Sequence, residues 1–237
     1  DGDIIINDMI NVTNNSSTNT TFKLLANRDI LWMSGGKLDA TSGTNGVNVT
    51  LISNQDADSS GGILIGGLAG STYRNGQSSI YGQSSNGSLS DKALIKTNGG
   101  NFSATADNVS EVTNASLTVK FAEIDVGLGS ISLTGKNTNP GTGNYDSRHG
   151  IAMEASTEND FLLKAEGGIT LTGSNNNPGN YFGISMSGGT YLATGAGEIT
   201  FNGSSGTGGY GIATRTYSNN LFTHILSNSG DITFNTA

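Results

Sequence analysis

Cysteine is absent from the 237 residues, proline occurs twice, tryptophan once, and charged residues make up only 13% of the chain. Each shortage excludes something. Without cysteine there is no disulfide framework and no thiolate metal site, so packing alone must hold the fold. No apolar run approaches the roughly 20 residues of a membrane-spanning helix, so no membrane insertion is expected. The 11 Lys and Arg are scattered among 19 Asp and Glu, for a net charge of −8, which leaves no basic footprint for nucleic acid or an anionic membrane. No stretch combines helical apolar spacing with caps, which argues against βαβ architectures. Asp1-Gly2-Asp3-Ile4 begins directly in a strand pattern, without the basic start, apolar core and cleavage site of a signal peptide, so the chain is expected to be a piece of a longer protein.

What remains is Gly, 36 of them, with abundant Asn, Ser and Thr, through which Ile, Leu, Val, Phe and Tyr run in short alternating segments. Alternation separates this composition from disorder and reads as all-β. One phrase recurs: Ser130-Ile131-Ser132-Leu133-Thr134-Gly135, Gly168-Ile169-Thr170-Leu171-Thr172-Gly173, Glu198-Ile199-Thr200-Phe201-Asn202-Gly203 and Asp231-Ile232-Thr233-Phe234-Asn235-Thr236. Its Ile residues lie 38, 30 and 33 positions apart. The first three copies are each followed by a polar loop and a second alternating segment: Gly150-Ile151-Ala152-Met153, Gly183-Ile184-Ser185-Met186 and Gly211-Ile212-Ala213-Thr214. A third follows: Phe161 to Ala165, Tyr191 to Thr194, Leu221 to Leu226.

A unit of three short strands, each with one apolar face, cannot bury that face alone. Stacked in register with its copies, it builds three parallel sheets around a continuous core. The expected fold is all-β: a right-handed parallel β-helix with three short strands per coil and loop excursions. Asn-Gly pairs such as Asn45-Gly46 and Asn98-Gly99 allow an antiparallel sandwich, but hairpins do not explain a repeated three-strand phrase. One rod is expected over 1–237, less regular over 1–120 and clearly repetitive over 121–237. At about 30 residues and about 4.8 Å per coil its length is roughly 35–40 Å. Insertions are expected at one corner of the coil. Tyr73 to Ser90 reads as an excursion, and so does Lys136 to His149.

Catalysis needs a constellation, and none stands out. His149 and His224 lack an accompanying Ser or Cys motif and read as packing or surface residues. Asp56, Asp58, Asp125, Asp146, Glu154, Glu158 and Asp160 are the carboxylates available for acid and base chemistry, but no pair recurs at a stacking interval. Asp56-Ala57-Asp58 lacks the rest of a calcium loop, and Gly66-Gly67-Leu68-Ala69-Gly70 lacks the Lys-Ser/Thr of a phosphate loop, so neither metal nor cofactor is expected. Stacked Asn, Ser and Thr are expected to bond their copies one coil away. Ice binding by flat Thr rows requires Thr-x-Thr in every coil, and the second Thr becomes Asn202 and Asn235.

Glycosylation acceptors of the form Asn-x-Ser/Thr occur at Asn11, Asn14, Asn15, Asn19, Asn48, Asn86, Asn101, Asn108, Asn114 and Asn202. A chain this rich in Asn, Ser and Thr produces many by chance. Asn144, Tyr145, Arg148 and His149, in the second excursion, are the candidate ligand-contact residues, being of types that make adaptable contacts.

The succession Gly2-Asp3-Ile4-Ile5-Ile6-Asn7, Leu25-Ala26-Asn27-Arg28-Asp29-Ile30, Val47-Asn48-Val49-Thr50-Leu51-Ile52-Ser53 and Asp56 to Gly66, with the later Gly-Ile-Thr-Leu-Thr-Gly phrases, resembles the haemagglutinin-type repeats of exoproteins secreted by the two-partner route. Filamentous haemagglutinin and the high-molecular-weight adhesins belong to that family. The resemblance implies a secreted, surface-exposed bacterial adhesin without enzymatic activity, exported by an outer-membrane partner transporter and binding a host-cell receptor, glycan or matrix protein. It also adds weight to sugars on asparagine. The family's secretion motifs have no match here. The alternative on the same fold is a polysaccharide lyase or glycoside hydrolase, which requires Asp146, Arg148 and Glu154 to converge in a cleft.

Overall fold

A computed structural model describes residues 2–54, 61–67, 92–108, 115–138, 149–155, 160–177, 179, 181–215 and 221–237. Among these residues there are 21 strands and no helix. The first coil is β1 (Ile4–Ile6), β2 (Met9–Asn11) and β3 (Thr20–Leu25), and the second β4 (Ile30–Met33), β5 (Lys37–Asp39) and β6 (Val47–Ile52). The third is β7 (Ile63–Gly67), β8 (Ala93–Lys96) and β9 (Phe102–Asn108), and the fourth β10 (Ala115–Val119), β11 (Ala122–Asp125) and β12 (Ile131–Asn137). The fifth is β13 (His149–Glu154), β14 (Phe161–Ala165) and β15 (Ile169–Asn175), and the sixth β16 (Phe182–Ser187), β17 (Thr190–Ala193) and β18 (Ile199–Ser205). The seventh is β19 (Tyr210–Thr214), β20 (His224–Ser227) and β21 (Ile232–Thr236).

Each strand pairs with the strand three places on, giving three parallel sheets of seven: sheet A begins with β1, sheet B with β2 and sheet C with β3. This is the parallel β-helix expected from the repeat. Its right-handed sense is the one a twisted strand favours on returning to a parallel neighbour. Seven coils make a rod of about 34 Å. The less regular half, 1–120, carries the same three-strand coil as the rest. One Asn-Gly pair that resembles a hairpin turn serves as a corner instead: Asn98 and Gly99, with φ of 54° and 92°, turn the chain from β8 in sheet B to β9 in sheet C, whereas Asn202-Gly203 lies within β18.

Register stacks the phrase on itself. Ile131 lies beside Ile169, Ile169 beside Ile199, and Ile199 beside Ile232, with Leu133, Leu171, Phe201 and Phe234 two places on. Through the inner coils these side chains enter the common core, where Ile131, Leu133, Ile169, Leu171, Ile199 and Phe201 are all at most 1% exposed, while Ile232 and Phe234 on the last coil are exposed. The Gly that closes the phrase has a steric cause. Gly135, Gly173 and Gly203 sit where sheet C meets sheet A, and a Cβ on Gly173 would stand inside contact distance of the Gly183 carbonyl oxygen and the Ile184 side chain. Ala106 holds that column one coil earlier. Gly173→Ala should therefore cost about 1–3 kcal/mol, because the obstacle is backbone. In thermal melts the Ala106→Gly variant should fall less far than Gly173→Ala; equal or smaller loss in Gly173→Ala would rule out the steric cause.

The strand bounds correct one expectation. Long connections lie at both ends of sheet A, not at one corner: 53–62, 109–114 and 138–148 precede its strands, and 68–92, 155–160 and 215–223 follow them. The connection from sheet B to sheet C is 12–19 and 40–46 in the first two coils and three to five residues thereafter, shortest at 166–168 between β14 and β15.

Candidate functional site

The three outward faces differ in chemistry, and the difference follows from which residues alternate with the core. Sheet A faces outward with Leu31, Leu64, Thr118, Ala152 and Ser185, a column in register that is buried through the second to sixth coils and ends on exposed Ile5 and half-buried Ala213. Leu31, Leu64 and Met33 form their own apolar cluster there. Sheet B carries an alternating ladder of charge: Asp39 beside Lys96, Lys96 beside Asp125, Asp125 beside Lys164. Lys164 Nζ lies 2.8 Å from Asp125, and Lys96 reaches Glu123 at 3.6 Å. Such exposed pairs add little stability each, but a ladder of alternating sign sets register.

Sheet C presents two outward columns that carry no charge after the first coil. One runs Lys23, Thr50, Ser103, Ser132, Thr170, Thr200, Thr233, and the other Leu25, Ile52, Thr105, Thr134, Thr172, Asn202, Asn235. The expected ladders between coils are present. Ser103 Oγ lies 3.2 Å from Thr50 Oγ1, Asn202 Nδ2 donates to Thr172 Oγ1 at 3.4 Å, and Asn235 Nδ2 donates to Asn202 Oδ1 at 2.8 Å.

Beside these columns, at the corner entering sheet C, amides lock to backbone one coil on. Asn19 Oδ1 accepts the Gly46 N–H at 3.1 Å, Asn48 Oδ1 the Asn101 N–H at 2.9 Å, and Asn101 Oδ1 the Ser130 N–H at 2.9 Å. Where Ser103 and Ser132 replace Thr, the face sinks into a shallow depression of about 420 Å³, within the range of small-ligand sites. Thr21, Asn48, Thr50, Asn101 and Ser130 line it with the two serines, over Val49 and Phe102, and no lining side chain is charged.

The sequon asparagines fall into distinct environments. Asn11, Asn15, Asn19 and Asn101 are exposed, and Asn48 and Asn202 half-buried. Asn14 is 4% exposed and spends its whole amide on the turn before β3: Nδ2 donates to the Thr18 and Gly46 carbonyls at 2.9 and 2.8 Å, and Oδ1 accepts from Ser16 N and Oγ at 3.1 and 2.6 Å. A sugar on Asn14 Nδ2 would break this clamp, so the folded chain does not offer it as an acceptor. Asn108 closes β9. Asn86 and Asn114 lie outside the described residues, as do Asp56, Asp58 and Glu158 and the excursion Tyr73 to Ser90.

Of the candidate ligand-contact residues, Asn144, Tyr145 and Arg148 lie outside the described residues. His149 is corrected from loop to core: it begins β13 and is 1% exposed, too deep to meet a ligand from solvent. Its ring stacks on Phe182 at 4.9 Å, Phe182 lies 5.9 Å from Tyr210, and the Arg215 guanidinium sits over the Phe182 ring at 4.4 Å. His149 Nδ1 accepts the Phe182 N–H at 3.2 Å. Burial first, and then the charge of Arg215, push its pKa down to about 3, so the ring is neutral. A signal for this is present in the sequence: in the second segment of each of the three repeats the residue before Gly-Ile is a ring, in His149-Gly150-Ile151, Phe182-Gly183-Ile184 and Tyr210-Gly211-Ile212.

The carboxylates pair with cations. Glu154 is 3.5 Å from Lys120, and Asp107 is 3.3 Å from Lys136. Burial raises the Glu154 pKa, against the lowering pull of Lys120 and Arg215. The cleft that a lyase requires involves Asp146 and Arg148, both outside the described residues. Among the described residues no three His, Cys, Asp or Glu side chains gather to hold a metal. No protein-family model matches the chain, and comparisons with curated proteins and with solved structures return no match.

Proposed function

We propose that this chain is a binding segment of the rod of a secreted bacterial surface adhesin, of the haemagglutinin-repeat kind that two-partner systems export. The observation that supports this reading most is the division of the rod into three faces. The outward face of sheet A is largely buried, sheet B is laced by charge, and sheet C runs hydroxyl-rich along the coils, its charge confined to Lys23 and the Asp107–Lys136 pair. A stack that grows by repetition suits presentation of a surface away from a cell, with the connections beside sheet A free to vary without disturbing the core. A host-cell receptor, glycan or matrix protein is the partner class, and an outer-membrane transporter exports the parent chain. The lyase or hydrolase alternative gains no support from Asp107, Asp125 and Glu154, each of which sits opposite a Lys one coil away.

The test is a panel of host glycans and matrix proteins probed with the whole chain, alongside a variant in which 139–148 is replaced by a short Gly-Ser turn. That exchange keeps β12 and the buried His149 intact. We expect binding to at least one member of the panel. Loss with the exchange assigns adhesion to the connections, and retention assigns it to the sheet faces. A chain that binds nothing is a spacer, and the adhesive reading fails.

A further inference from the structure

We propose that the depression on sheet C is a binding site for a neutral saccharide chain. This rests on the reading of the rod as a binding segment and names the ligand class of one of its faces. Two amides on its rim are held in place. Because Asn48 Oδ1 and Asn101 Oδ1 each hold a backbone N–H of the next coil, neither amide can rotate freely, and each Nδ2 is left with its two N–H donors and no protein partner among the described residues. The two stand on neighbouring coils, in register, about 4.8 Å apart. Two places along each strand are Thr50 and Ser103, hydroxyls that donate or accept, with Ser132 on the coil above.

The hollow thus offers fixed donors in one row and adaptable hydroxyls in the next. Its lining carries no charge to balance an ionic ligand. A polyol, whose every hydroxyl is both donor and acceptor, matches such a lining, and preorganised donors reduce the ordering cost of binding. A peptide adding as a strand needs a free sheet edge, and in sheet C the edges are β3 and β21, whereas the depression lies on the face. The face continues past the hollow as hydroxyls through Thr170 and Thr200, so the site extends along the rod axis, which fits a chain of sugars better than a single ring.

The chain should be produced in a bacterial host without an asparagine glycosyltransferase and checked by intact mass, so that Asn48 and Asn101 are unmodified. Cellohexaose, maltohexaose and chitohexaose serve as neutral probes, and a heparin hexasaccharide as the charged comparator. We expect at least one neutral probe to shift the side-chain amide resonances of Asn48 and Asn101. The double variant N48D/N101D keeps the oxygens that hold the backbone but loses the donors, and should weaken that binding about tenfold or more. Ser132→Arg, which fills the hollow from an outward position, should do the same without touching either amide, and melts of all variants confirm that they fold.

The inference is overturned if no neutral probe moves those resonances at millimolar concentration, or if both folded variants bind as the parent does. The adhesive reading is judged separately. Binding of heparin or a matrix protein that survives both variants leaves the rod adhesive while removing this site, and failure on the whole panel removes both.

Discussion

Acidifying the solution from pH 7 to pH 3.5 should destabilise this chain steeply, and His149→Phe should remove much of the pH dependence. His149 is buried, and its proton affinity in the folded chain falls from an ordinary 6.5 to about 3. Between those values the unfolded chain binds a proton that the native chain refuses. Stability is therefore present in full above about pH 6.5 and is lost as the pH falls toward 3. At about 1.4 kcal/mol per unit the loss is on the order of 4 kcal/mol. Asp39 acts in the same direction, since its bonds from Thr41 lower its pKa, and Glu154 in the opposite one, since burial raises its pKa.

Phenylalanine keeps a ring against Phe182 but leaves the Phe182 N–H without its acceptor, at a cost of about 1–3 kcal/mol at pH 7. The two curves of unfolding free energy against pH should thus cross, with the wild type the more stable at pH 7 and the variant at pH 3.5. Parallel curves would falsify the assignment.

Trp32→Ala should cost about 3–5 kcal/mol. Trp32 is fully buried in the column Ile6, Trp32, Ile65, and its Nε1 donates to the Gly36 carbonyl at 3.0 Å. Truncation leaves a cavity in the second coil and removes one of the two donors to that carbonyl, the other being the Leu94 N–H. For a chain of this size the melting temperature should fall by roughly 2–4 °C per kcal/mol. A solenoid's stability is nearly a sum over coils and their interfaces, so the damage should stay near the first three coils. Hydrogen exchange should then quicken in β1, β4 and β7 while β15 and β18 hold their protection. Trp32→Phe, which fills most of the space, should cost about half as much. A loss under about 1 kcal/mol, or uniform quickening along the rod, would sink this account.

The repeat and its alternation are legible along the chain itself. Ile169 and Leu171 point one way and Thr170 and Thr172 the other because successive side chains of an extended strand must. Three such strands per phrase cannot close a core except by stacking on copies of themselves. Sheet membership, the parallel pairing and most of the core follow from that. So do the Thr and Asn ladders, since register places like beside like.

Other features depend on contacts between residues distant in sequence. Asn14 looks like its neighbour Asn15, but one amide is consumed by Thr18 and Gly46 and the other is exposed. In sequence His149 resembles the end of a loop, because its stacking partner, Phe182, lies 33 residues away. The sequence alone determined the strand, its period and the coil, all set by local backbone geometry and a repeat written in consecutive residues. Only the tertiary structure decided which face is covered, which is charged and which is open, because each depends on what adjacent coils place side by side. The two donors at Asn48 and Asn101 are held outward by backbone groups supplied one coil later, and no local pattern announces them.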